Sequence, residues 1–107
     1  MVKDPVVSMH VVAMRDGKEV TLTAEVGRPV RVDGGGWACS VSLAPLYDKL
    51  TDIHGVDSFH AMWLSCSLIL KLLGHFKADG WALAHDDGSQ FPLESYLQGL
   101  GGSLKGE

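Results

Sequence analysis

The sequence has no run of basic residues, no uninterrupted apolar stretch of bilayer length and only two cysteines. Each shortage removes a class of function. Nine Lys and Arg stand against thirteen Asp and Glu, which leaves a net charge of −4 and a pI near 5.6. Affinity for phosphate backbones comes from clustered cations that displace counterions, so neither nucleic acid nor an anionic membrane is an expected partner. The longest apolar stretch, Ala61 to Leu73, carries Ser65, Ser67 and Lys71 and is shorter than the about 20 residues a bilayer span requires. It reads as a core helix. Met1 to Pro5 lacks the basic start and apolar region of an export signal, which predicts a cytoplasmic, reducing location. There Cys39 and Cys66 read as inert core thiols rather than as a disulfide.

What is present suits one ordinary globular domain. The chain has 107 residues, 46% hydrophobic and 21% charged, enough to bury one core but not two. The domain is expected to run from 1 to 107, with 1–5 and 101–107 frayed. Val6 to Met14 is rich in β-branched residues and runs into Asp16-Gly17, which supplies the positive φ of a tight hairpin. Lys18 to Val26 alternates apolar and polar residues and predicts a half-buried antiparallel strand. Gly27-Arg28-Pro29 breaks that strand, Val30 to Val32 resumes extended structure, and Asp33 to Gly36 turns. Trp37 to Leu43 then predicts a third strand with its odd positions inward. Leu46 to Leu50 reads as a helical turn or a loop with Leu46, Tyr47 and Leu50 tucked under the sheet, and Thr51 to Gly55 as a connector.

The dominant element is a nearly all-apolar helix at Val56 to Leu73, capped by Asp57 or Ser58 and stopped at Gly74. His60, Ser67, Lys71 and Gly74 form its narrow polar stripe. Trp81 to Ala84 predicts a last short strand, and Phe91 to Leu100 a short amphipathic helix or lid. The fold class is therefore α+β: an antiparallel sheet of three to four strands packed on one long buried helix, with a short C-terminal helix or lid. A helix apolar on nearly every side must be covered on more than one side. A small sheet covers one face only, so either Phe91 to Leu100 or another chain is expected on the opposite flank.

Signals for chemistry are sparse. Five histidines never fall at ligand spacing. The best group, His54 and His60 with Asp52 and Asp57 between them, lacks the convergence a metal site needs, so no metal and no cofactor are predicted. Asp86 and Asp87 share a turn without the ligand spacing of a calcium loop. Ser65 and Ser67 lie mid-helix and Cys39 mid-strand, away from the sharp turn on which a nucleophile sits, and no catalytic residue is assigned. Gly34-Gly35-Gly36 precedes no Lys-Ser/Thr and no helix, so it is not a phosphate loop. Arg28, at a defined bend, is expected in a structural ion pair. Trp37, beside the glycine loop, is a candidate surface anchor. Arg28, Trp37, His54, Asp57 and His60 are thus the candidate ligand or interface residues.

The order of strand, Gly27-Arg28-Pro29, Gly36-Trp37-Ala38-Cys39, Gly55-Val56-Asp57-Ser58-Phe59-His60-Ala61 and apolar helix resembles a family of small bacterial domains of unknown function. The likeness runs from about Val20 to Leu73, and His60 stands where that family often carries glutamine. It implies a bacterial origin and a stand-alone domain, and it implies no activity. From the residues themselves, the surplus apolar helix surface points to a non-enzymatic domain that binds another protein or itself, since exposed apolar patches mark interfaces. An immunity-type protein, small and acidic, fits by analogy. The alternative is a small-ligand binder or hydrolase-like enzyme with a pocket near Trp37, His54 and His60.

Overall fold

Two long strands, β1 (Pro5–Arg15) and β2 (Lys18–Gly27), form an antiparallel hairpin in the computed structural model, which describes residues 2–96. The hairpin turns where the sequence predicts, with Asp16 and Gly17 at φ of 51° and 78°. Left-handed backbone at both central residues matches the twist of the flanking strands. Val11 and Ala13 on β1, and Leu22, Ala24 and Val26 on β2, are buried on the inner face.

The rest of the β structure departs from the expected single sheet. β3 (Val30–Arg31), β4 (Trp37–Cys39) and β5 (Val41–Ala44) follow. β5 pairs with β2, whereas β3 pairs with β4. The strand expected at Trp37 to Leu43 is therefore interrupted at Ser40, where the chain passes from one sheet to the other. Gly27 donates its N–H to the Ser40 carbonyl at 2.8 Å, and the Cys39 thiol reaches the Gly27 carbonyl at 3.2 Å. The corner thus bends one long ribbon in two. The bend also covers the even positions expected to face water, and Ala38 and Ser42 are buried.

The segment after β5 turns at a cis Ala44–Pro45 peptide, and Tyr47 exchanges two backbone hydrogen bonds with Leu43. Tyr47 and Leu50 pack on the core as expected, but Leu46 is exposed. Ile53–Gly55, expected as part of a connector, forms β6 and pairs with β4. The helix α1 (Ser58–Ala78) follows, and after it β7 (Ala82–Ala84) pairs with β1. The architecture is α+β: a four-stranded antiparallel sheet in the order β5-β2-β1-β7 and a three-stranded one in the order β3-β4-β6, with one long helix.

Gly74 does not end the helix. α1 continues to Ala78, and the stop is Gly80, at φ 95°. Gly80 donates to the Lys77 carbonyl and Trp81 to the Phe76 carbonyl. That pair of bonds satisfies carbonyls the helix would otherwise leave bare. Phe76 and Trp81 meet edge to face at 5.8 Å, the apolar contact that accompanies such a stop. Arg15 lies over the Trp81 ring at 5.1 Å and donates to the Asp79 carbonyl at 2.9 Å. The helix end is thereby tied to the hairpin tip.

α1 buries Ala61, Ser65, Ile69, Leu73 and Phe76, a stripe at three- and four-residue spacing that lies on the sheets. Ser65 satisfies its hydroxyl by donating to the Ala61 carbonyl at 2.9 Å. Beyond that stripe, the described residues leave apolar side chains at the helix start uncovered. Val56 just before it is 78% exposed, and Phe59 and Trp63 on it are 79% and 40% exposed. After β7, Phe91 and Leu93 join the core, and residues 93–96 are helical. Leu97 and Leu100 of the expected lid, and the expected fray at 101–107, lie outside the described residues.

Candidate functional site

The helix start holds two of the candidate residues, and both have structural work. Asp57 is the N-cap, with extended backbone, and its Oδ1 accepts from the His60 N–H at 2.7 Å. His60 turns its ring back, and Nδ1 accepts from the Val56 N–H at 3.0 Å. The His60 amide in the first turn and the Val56 amide just before the cap are thus both satisfied, an arrangement like a capping box except that the side chain reaches the residue before the N-cap rather than the N-cap amide. Replacing Asp57 with alanine should cost about 1 kcal/mol, read as a shift in denaturant midpoint. His60→Ala should cost a similar amount, about 0.5–1.5 kcal/mol for a lost hydrogen bond. In the double variant, a loss smaller than the sum of the two would show that the bonds act as one cap.

His54 is exposed on β6, opposite Ala38 in the register. Trp37 is half-buried at the start of β4, with the Arg31 guanidinium 5.7 Å from its ring centre. Trp37, His54 and His60 do not line the better-formed clefts among the described residues, whose volumes are about 330 to 470 Å³. Among the described residues no three His, Cys, Asp or Glu converge as metal ligands. Arg28 is exposed at the corner and lines a cleft with Lys3, Asp4 and Asp52. The ion pair expected for it is not formed: the two found among the described residues are Arg15–Asp16 and Lys77–Glu94. A guanidinium at the rim of a bend is already solvated and gains little from pairing.

The two thiols and Asp87 are not tuned for nucleophilic or acid–base chemistry. Burial pushes the Cys39 thiol up; the Ser65 hydroxyl offsets this in part, and the charge of Asp52 adds to it. Burial also raises Cys66, with Cys39 adding to the effect. Both thiols are free and stay protonated at neutral pH, whereas attack requires the thiolate. The Ser89 hydroxyl and amide, both donating to Asp87, hold that carboxyl below its usual range. An acid catalyst at neutral pH needs the opposite shift.

The feature that no single residue type announced is a groove. Val7 and Met9 of β1 and Ala24 and Val26 of β2 form its floor, and Trp63, Cys66, Ile69 and Leu70 of α1 form its wall, with Tyr96 at one end. Its volume is about 360 Å³ and its lining is almost wholly apolar. One of its lining residues, Val7, is 48% exposed. The signal in the sequence was the excess of apolar helix positions. No protein-family model, curated protein or solved structure matches the chain.

Proposed function

We propose that this chain is a non-catalytic protein-binding domain whose contact surface is the open flank of α1 with the groove beside it. One observation carries the reading: Val56, Phe59 and Trp63 stand exposed on or beside a helix that also walls an apolar groove. A contiguous apolar patch of this kind on a small domain marks an interface. Large aromatic side chains at its centre are the usual anchors of binding energy. By length and composition α1 would also pass for a membrane span, but its buried stripe of Ala61, Ser65, Ile69, Leu73 and Phe76 is committed to the sheets. A protein, not a bilayer, is the occupant this geometry favours. The two free thiols fit a reducing, cytoplasmic setting.

A photo-cross-linking phenylalanine analogue in place of Phe59, activated in the cell that makes the protein, tests the reading. The expected result is an adduct of one or a few discrete protein masses. Cross-links to lipid, or none, would overturn it. An immunity-type role is the same reading with a toxin as occupant, and the adduct mass separates it from self-association.

A further inference from the structure

We infer that the partner is a second copy of this chain, joined by antiparallel pairing of the free edge of β1; this rests on the protein-binding reading above and names its occupant. Along one side β1 is paired with β2 from Pro5 to Arg15. Along the other, β7 reaches only Val12, Ala13 and Met14. Among the described residues no strand pairs with the outer side of β1 from Pro5 to Val11. The other strand edges of the two sheets are short, since β3, β4, β5, β6 and β7 are two to four residues long. Among the described residues this is the long edge without a partner strand.

Monomeric proteins guard such an edge with lysine, inward charges, proline or a bulge. Here Pro5 and a register irregularity between Pro5 and Val7 guard only its beginning, and from Pro5 to Met14 there is no Asp, Glu, Lys or Arg. A charge-free strand meets its own copy without repulsion. Antiparallel pairing about a two-fold axis near Ser8 sets Val7 against the partner's Met9 on the inner face and Ser8 against the partner's Ser8 on the outer one. Two-fold symmetry requires this kind of self-complementarity.

The edge and the groove are continuous, since Val7 and Met9 belong to both. Pairing across β1 would keep both helices on one face of the extended sheet. It would bring the two grooves mouth to mouth, with Trp63 and Phe59 of each copy beside the seam. One contact then satisfies the open backbone groups and covers the exposed apolar side chains.

Sedimentation velocity on the full chain over a wide concentration range is the test, with Val7→Lys as the variant. Val7 is 48% exposed, so the lysine should leave the fold intact, as far-ultraviolet circular dichroism would show. The wild-type chain should form a dimer, and Val7→Lys should weaken it on the order of a hundredfold by setting a charge against the partner's Met9 in the apolar seam. Hydrogen exchange supplies the second readout: outward amides in residues 6–10 should gain protection as concentration rises. A monomer at every concentration overturns the inference, as does a dimer indifferent to Val7→Lys or one that protects only α1. Edge protection independent of concentration would assign the groove to the chain's own residues beyond Tyr96 and overturn it as well. If the analogue at position 59 captures a different protein, the second copy is wrong while the protein-binding reading survives.

Discussion

Replacing Gly55 with alanine is expected to destabilise the fold by about 3 kcal/mol, at the upper end for an overpacked core. On a domain of this size that should lower the melting temperature by about 12 °C or more. Gly55 ends β6 directly beneath the first turn of α1. A Cβ there would run into the Ala61 backbone nitrogen and lie 2.9 Å from both the Ala61 Cα and the His60 carbonyl carbon. Those are main-chain atoms, fixed by the Asp57 and His60 cap and by the burial of Ala61, so no side chain can swing aside. Relief would require α1 to move off β6, its most extensive neighbour among the strands. Gly74→Ala gives the opposite sign. Gly74 lies in the helix interior, and no atom stands within 4 Å of the place an alanine methyl would take. Alanine there should stabilise by about 0.5–1 kcal/mol. Denaturant midpoints of the two variants check the pair. A Gly55→Ala protein as stable as the parent would mean that the helix start is not held against β6.

The contrast between these glycines shows which parts of the fold were legible in the sequence. The β1–β2 hairpin was readable because its determinants are local: Asp16-Gly17 sets the turn, and strict alternation from Lys18 to Val26 sets the face. The existence of α1 was readable from its apolar run, and its cap was narrowed to Asp57 or Ser58. The end of α1 was not. Gly74 and Gly80 are equally glycine in the sequence, and what selects Gly80 is the Phe76–Trp81 contact across the turn. β6 is three residues long and exists because β4 lies beside it, a pairing no local pattern announces. The break at Ser40 was hidden for a related reason: the alternation from Trp37 to Leu43 continues through it while the hydrogen-bond partners change. The candidate site was half legible. The excess of apolar positions on α1 was visible in composition, but Phe59 and Leu73 look alike there, and only packing makes one exposed and the other buried. That β1 has no outer partner strand from Pro5 to Val11 among the described residues was invisible, because it depends on where β7 stops.

Phe91→Ala should destabilise the whole domain by about 3–5 kcal/mol, the range for truncating a fully buried phenylalanine, although a lid would predict a local effect only. Phe91 is 1% exposed. It stacks on Tyr96 at 5.0 Å, meets His85 edge-on at 5.2 Å, and donates its N–H to the Leu83 carbonyl at 3.0 Å. The ring thus closes the end of the core beside β7, and Leu93 follows it into the same cluster. The Lys77 ammonium, 2.7 Å from Glu94, pins the next turn from outside and holds that carboxyl below its usual range. Tyr96 is different: it is 45% exposed and covers Phe91 from outside while lining the groove, so Tyr96→Ala should cost only about 0.5–1.5 kcal/mol, the worth of the stack. The two variants place the boundary between core and cover within six residues. If Phe91→Ala lowers the global transition and Tyr96→Ala does so far less, the chain up to Leu93 is part of the folding unit and cannot swing away to admit a partner. The groove would then be entered beside Val7, which is 48% exposed. Coincident unfolding curves from near- and far-ultraviolet circular dichroism would show the loss to be global; a Phe91→Ala protein with an unchanged melt and faster exchange only in residues 91–96 would make that segment a detachable lid.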